Sequence, residues 1–115
     1  MLYKVTKAEE AFQYFPPGHF DVRCTRLHTA EDLEDGRLTV GLSHFLPEGG
    51  AEMATATCEM MYYIQAGQMT VTTDNDGKEH VLNAGDSIRF MPGQGRAPKN
   101  TGIKCAEMLV IMVKP

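Results

Sequence analysis

Arg96 stands in the stretch GDSIRFMPGQGRAPKN, residues 85–100, after a Pro-Gly turn and four residues before Asn100. A guanidinium stays charged and grips carboxylates and phosphates with a two-pronged fork, so its natural task is to hold an acid group. His44 lies in VGLSHFLPEGG and is the histidine best placed for moving a proton. Tyr62 sits two residues after Met60 and two before Ile64, which puts all three on one face of a strand. Its hydroxyl suits orienting a ligand or acting as a weak general acid, and it suits plain core packing with one satisfied hydrogen bond equally well. His44, Cys58, Glu52 and Glu59 carry nitrogen, sulfur and oxygen donors of kinds that hold zinc or iron. No two of them have the spacing of a metal-ligand motif. His19, His28 and His80 read as loop or surface residues. No glycine-rich phosphate loop leads into a helix.

Strands must position these groups. Asp21–His28, Arg37–Leu46, Glu59–Gln65, Gln68–Thr73, Lys78–Leu82, Ser87–Met91 and Lys104–Val113 are short runs rich in β-branched and aromatic residues. Gly, Pro, Asn and Asp punctuate them. PEGG at 47–50 reads as a turn, and DNDG at 74–77 closes a hairpin through its Asp-Gly. TAEDLEDG at 29–36 reads as a solvated acidic loop, with one helical turn at most. The spacing Thr6-x-x-Glu9 predicts a capping box, and Ala8, Ala11, Phe12 and Phe15 form one apolar helix face that Pro16-Pro17 ends. Seven to nine short strands without interleaved helices predict an all-β antiparallel sandwich or closed barrel. The expected division is an N-terminal helix or arm over 1–20 and a barrel over 21–115, one domain in all.

Composition narrows the function classes. The 115 residues suffice for one core and are too few for two. A net charge of −4 gives no footprint for nucleic acid. No apolar run reaches the ~20 residues that span a bilayer, and the charged start MLYKVTKAEEAF lacks the core of a signal peptide, so the expectation is a cytoplasmic protein without membrane contact. Three cysteines, Cys24, Cys58 and Cys105, are an odd count without close pairing and are expected to be reduced. Eight methionines and no tryptophan give a soft apolar interior, suited to core packing or to a malleable pocket.

The turn spacing is also similar to a known family. Gly49-Gly50, MMYYIQAGQMTV and LNAGDSIRFMPGQGRAPKN resemble the two motifs of the cupin superfamily, small single-domain barrels of the RmlC-like type. The matching anchors are Gly50 (or Gly49), Gly67, Gly85, Asp86, Pro92, Gly93 and Asn100, and the likeness spans residues 37–113. It implies an antiparallel double-stranded β-helix, the jelly-roll, and a homodimer. In metal-binding cupins two histidines and a glutamate of the first motif and a histidine of the second converge inside the barrel. Here those places fall at Ala54 and Ala56 (or Thr55 and Thr57), Met60 and Arg96. No cofactor is therefore expected, with His44, Glu52, Glu59 and Cys58 as the fallback ligands.

If that register holds, Arg96 points into the barrel mouth. It then needs a partner, and three are open: solvent, a protein carboxylate such as Glu52 or Glu59, or the acid group of a ligand. The first expectation is a binding module for a small carboxylate- or phosphate-bearing ligand, with Arg96 reading the acid, Tyr62 and His44 adding polar contacts, and Met60 and Met53 shaping the wall. The second is a metal-independent isomerase, epimerase or lyase in which His44 or a buried carboxylate moves a proton, with Tyr62 a further catalytic candidate and Arg96 stabilising an oxyanion or anchoring the substrate. A dioxygenase with relocated ligands, or a barrel kept only for assembly, stands behind these.

Overall fold

The computed structural model describes residues 2–115. Among them ten strands form a nearly closed antiparallel barrel. They are β1 (Phe12–Tyr14), β2 (His19–His28), β3 (Leu38–Ala51), β4 (Ala54–Thr55), β5 (Glu59–Ala66), β6 (Gln68–Thr73), β7 (Glu79–Asn83), β8 (Ser87–Phe90), β9 (Gly95–Asn100) and β10 (Ala106–Val113). One wall runs β1-β2-β3-β10-β5-β8. The other runs β7-β6-β9-β4. The end of β3 joins them where Gly50 pairs with Lys99. The all-β jelly-roll expectation holds.

Alternation along the strands decides what faces inward. On β5, Met60, Tyr62 and Ile64 are 5%, 5% and 0% exposed, whereas Tyr63 between them faces outward. Phe45, Met69, Val71, Phe90 and Met108 complete the core from four other strands. The Tyr62 and Phe90 rings meet edge to face with centroids 5.1 Å apart, a favourable quadrupole arrangement.

The N-terminal helix does not form. One 3₁₀ turn at Ala8–Glu10 is all that appears, and Lys7 rather than Thr6 precedes it. The expected apolar face is not buried: Phe12 and Phe15 are 68% and 80% exposed. A segment this short repays little of the cost of helix nucleation. Pairing with β2 satisfies the backbone of Phe12–Tyr14 instead, with Tyr14 opposite Cys24. The arm therefore enters the sheet at Phe12, and β2 itself begins at His19, ahead of the boundary expected at residue 21.

PEGG is not a turn either. It is a bend inside β3, with Glu48 at φ 69°. Opposite it the β2–β3 register shifts around Asp21, itself at φ 50°. A side chain on Gly49 would collide with the Asp21 carbonyl, and one on Gly50 with the Pro98 carbonyl. Glycine is needed at both places because β3 crosses there from one wall to the other with backbone in contact. The acidic loop does hold one turn, Ala30–Asp32, closed by a Thr29–Asp32 capping box. The DNDG hairpin forms between β6 and β7.

Candidate functional site

Two adjoining hollows open at the barrel mouth, each about 190 Å³, and both are lined by His19, Tyr62, Arg96 and Pro98. The outer one adds Gly18, Glu52, Met53 and Ala54. The inner one adds Tyr14, Arg26, Ser43, Phe45, Met60 and Met108. Among the described residues no Asp or Glu lines the inner hollow, and Glu52 is the one carboxylate of the outer.

β9 carries Arg96 to this place by pairing with both β4 and β6. Arg96 Nη1 donates to the Ala54 carbonyl at 2.6 Å, while its Nε is buried without a hydrogen-bond partner. Beside it, burial pushes the Tyr62 phenol above its ordinary range, and the charge and hydrogen bond of Arg96 offset part of the rise. Tyr62 is therefore a neutral donor at physiological pH. Across the cavity, the Arg26 guanidinium carbon lies 4.3 Å from the centre of the Tyr14 ring, stacked on its face. Burial likewise raises the Tyr14 phenol, with Arg26 opposing. The Arg26 Nε is also buried and unpartnered.

Arg96, Tyr62, Met60 and Met53 thus all line the mouth or the inner hollow, with Met53 at the exposed rim. His44 does not. Ser43 and Phe45 face the interior, and His44 points to the outer face, 3.8 Å from Glu107 through Nε2. Both faces of that stretch carry large apolar residues, so alternation alone left the inner face open. Packing of Phe45 against the core, and a buried Ser43 hydroxyl against the Cys24 thiol at 3.6 Å, decide it. Glu59 also lies outside, where Arg89 Nε donates to it at 2.6 Å. Among the described residues no three His, Cys, Asp or Glu side chains gather where they could hold a metal ion, so the fallback set His44, Glu52, Glu59 and Cys58 is not brought together. Where the resemblance places metal ligands, the barrel offers Ala54, Ala56, Met60 and Arg96. Methyl, thioether and guanidinium groups do not fit a divalent cation.

Two contributors escaped the sequence reading, Tyr14 and Arg26, and His19, read as a loop residue that could fold over the mouth, does line it. Tyr14 was hidden by the helical spacing around it. Arg26 sits on a strand whose inner face is polar as often as apolar. His19 follows the Pro17-Gly18 bend, with Gly18 at φ 73°, and its Nδ1 bonds the Pro17 carbonyl at 3.0 Å.

Comparison with known proteins places this arrangement. The family model described as a cupin domain matches residues 41–112, more than half of the chain. Beta-D-galactosidase Rv1717 of Mycobacterium tuberculosis (strain ATCC 25618 / H37Rv) is 36% identical over 112 residues, covering 97% of this chain and 95% of that protein. The polyketide cyclase RemF from Streptomyces resistomycificus superposes with a TM-score of 0.83 at 17% identity, covering 100% of this chain and 81% of that one. A predicted oxalate decarboxylase from Thermotoga maritima superposes with a TM-score of 0.80 at 18% identity, covering 97% and 100%. At such identities the two structures speak for the fold alone, whose functions vary widely. Family match, barrel topology and motif spacing agree: the chain belongs to the cupin family.

Proposed function

We propose that this cupin binds a small anionic organic ligand, carboxylate- or phosphate-bearing, in the barrel cavity and does so without the metal common in its family. One observation carries the reading: Arg26 and Arg96 line one small hollow, and no Asp or Glu of the described residues lines it with them. Two guanidinium groups without a carboxylate beside them are suited to receive the acid group of a ligand. The neutral Tyr62 hydroxyl adds a donor, and Met60 and Phe45 give the ligand an apolar wall. The test is a thermal-shift screen of small carboxylic and phosphorylated acids, run beside elemental analysis before and after dialysis against EDTA. An acid that raises the melting temperature, on protein carrying far less than one metal per chain, supports the reading. Stoichiometric metal that resists dialysis overturns its metal-free half.

The galactosidase relative favours a second reading, action on a glycoside. The usual hydrolysis needs two carboxylates flanking the bond, and a tyrosine nucleophile is a known exception. Glu52 and Tyr62 both line the outer hollow and are the residues to test. Turnover of a fluorogenic β-D-galactoside that is lost in Glu52→Gln or Tyr62→Phe would favour hydrolysis over binding. A proton-moving isomerase or lyase would rely on Tyr62, His19 or Glu52, because His44 faces away from the cavity.

A further inference from the structure

We infer that the cavity reads two acid groups on one ligand, one at each of two arginine–tyrosine pairs, and so is built for a short dicarboxylic acid. This rests on the anionic-ligand reading and narrows it. The pairs are Arg96 with Tyr62 and Arg26 with Tyr14. Tyr14, Arg26 and Tyr62 stand on one wall, through β1, β2 and β5, and Arg96 comes from β9 on the other.

Each guanidinium is already held in place. Arg96 is pinned through Nη1 to the Ala54 carbonyl. Arg26 lies over the Tyr14 ring, its guanidinium carbon 4.3 Å from the ring centre. A guanidinium held in place beside a protonated phenol is prepared for a carboxylate at little entropic cost. No acidic side chain of the described residues lines the inner hollow to neutralise the two charges. The space of about 190 Å³ corresponds to roughly six waters at bulk density, which limits the ligand to a short one. Phe45, Met60 and Met108 line the same hollow, so the hydrocarbon part of the ligand has an apolar surface to meet. A phosphate monoester carries both charges at one end and would leave one arginine unpaired.

The test is titration calorimetry of the full chain with succinate, glutarate and adipate, each beside the monoacid of the same length, and with glycerol 3-phosphate. The expected result is a diacid that binds at least about tenfold tighter than its monoacid, the increment of one further charge-assisted contact. Arg26→Met should bring the diacid-to-monoacid ratio to about one. If that variant misfolds by circular dichroism, Arg26→Lys keeps the charge but loses the stacked fork and should still cut the ratio severalfold. Equal binding of diacids and monoacids overturns the two-acid inference and leaves the anionic-ligand reading standing. A phosphate monoester that outbinds every diacid overturns it as well. Absence of binding by all acids overturns both.

Discussion

Arg96 on β9 lies directly opposite Ala54 on β4, and the two are tied by a 2.6 Å hydrogen bond from the guanidinium to the Ala54 carbonyl. The bond fixes the plane of the guanidinium at the barrel mouth. It also explains how a charged side chain is kept there without an acidic protein partner within ion-pairing distance. Glu59, once a possible partner, is taken by Arg89 on the outer surface.

Replacing Arg96 with Ala is expected to abolish the thermal shift produced by an acid ligand. A charge-assisted hydrogen bond contributes about 1.5–3 kcal/mol, which is roughly ten- to a hundredfold in affinity. Basal stability should change little, because no ion pair is broken. Circular dichroism and thermal shift on the same preparation check both halves, and a collapse of basal stability would assign Arg96 a structural role instead.

The two cavity tyrosines give a pH signature. Burial holds both phenols above the ordinary value of 10.0. The unfolded chain then loses these protons first as pH rises, so above pH 10 it binds fewer protons than the native state and stability falls. Stability from this source is fully present below the unfolded value and declines through the raised native one. Denaturant midpoints measured across the alkaline range should fall less steeply in Tyr62→Phe than in the parent. Ultraviolet absorbance of tyrosinate should show Tyr14 and Tyr62 titrating above the ordinary value.

Asn100 is fully buried, and its side chain ties β9, β3 and the turn before β10 together. Its side-chain amide donates to the carbonyls of Phe45 and Lys104 at 3.0 and 2.8 Å, and its carbonyl accepts from the Gly102 amide at 2.9 Å. Asn100→Ala orphans these groups, and a cost of about 3 kcal/mol is expected from the usual penalty for unsatisfied buried partners. Urea denaturation measures it. Asn100→Asp should be no better, since it removes both donors and buries a charge.

A homodimer is the expected assembly, and the outer face of the first wall supports it. Leu109 on β10 pairs with Leu42 on β3 and Tyr63 on β5, and Ile111 with Val40 and Met61, which sets an apolar row across three strands on the face away from the core. A second copy of the same sheet would cover this row symmetrically. Light scattering should give about twice the 12.7 kDa chain mass. Leu109→Lys, placing like charges against each other across the two-fold axis, should shift the protein to monomer. A monomeric parent would remove the argument.

The sequence alone determined most of the barrel. Strand runs, turn residues and the GD…PG…N spacing are local signals, and local backbone chemistry acts on them in the same way in any context. It also determined that Met60, Tyr62 and Ile64 share the inner face, since a period of two leaves no other choice once one is buried. Tertiary structure decided the rest. Thr6 to Phe15 carries a helical pattern, yet a partner strand distant in sequence pulls Phe12–Tyr14 into the sheet. His44 carries chemistry but sits on a strand with two apolar faces, and only the packing of Phe45 and Ser43 turned it outward. Arg26 and Arg96 are 70 residues apart and belong to different walls, so nothing local could pair them in one cavity. Such a site is made by closure of the barrel, a non-local event, and its chemistry becomes visible only when the strands have met.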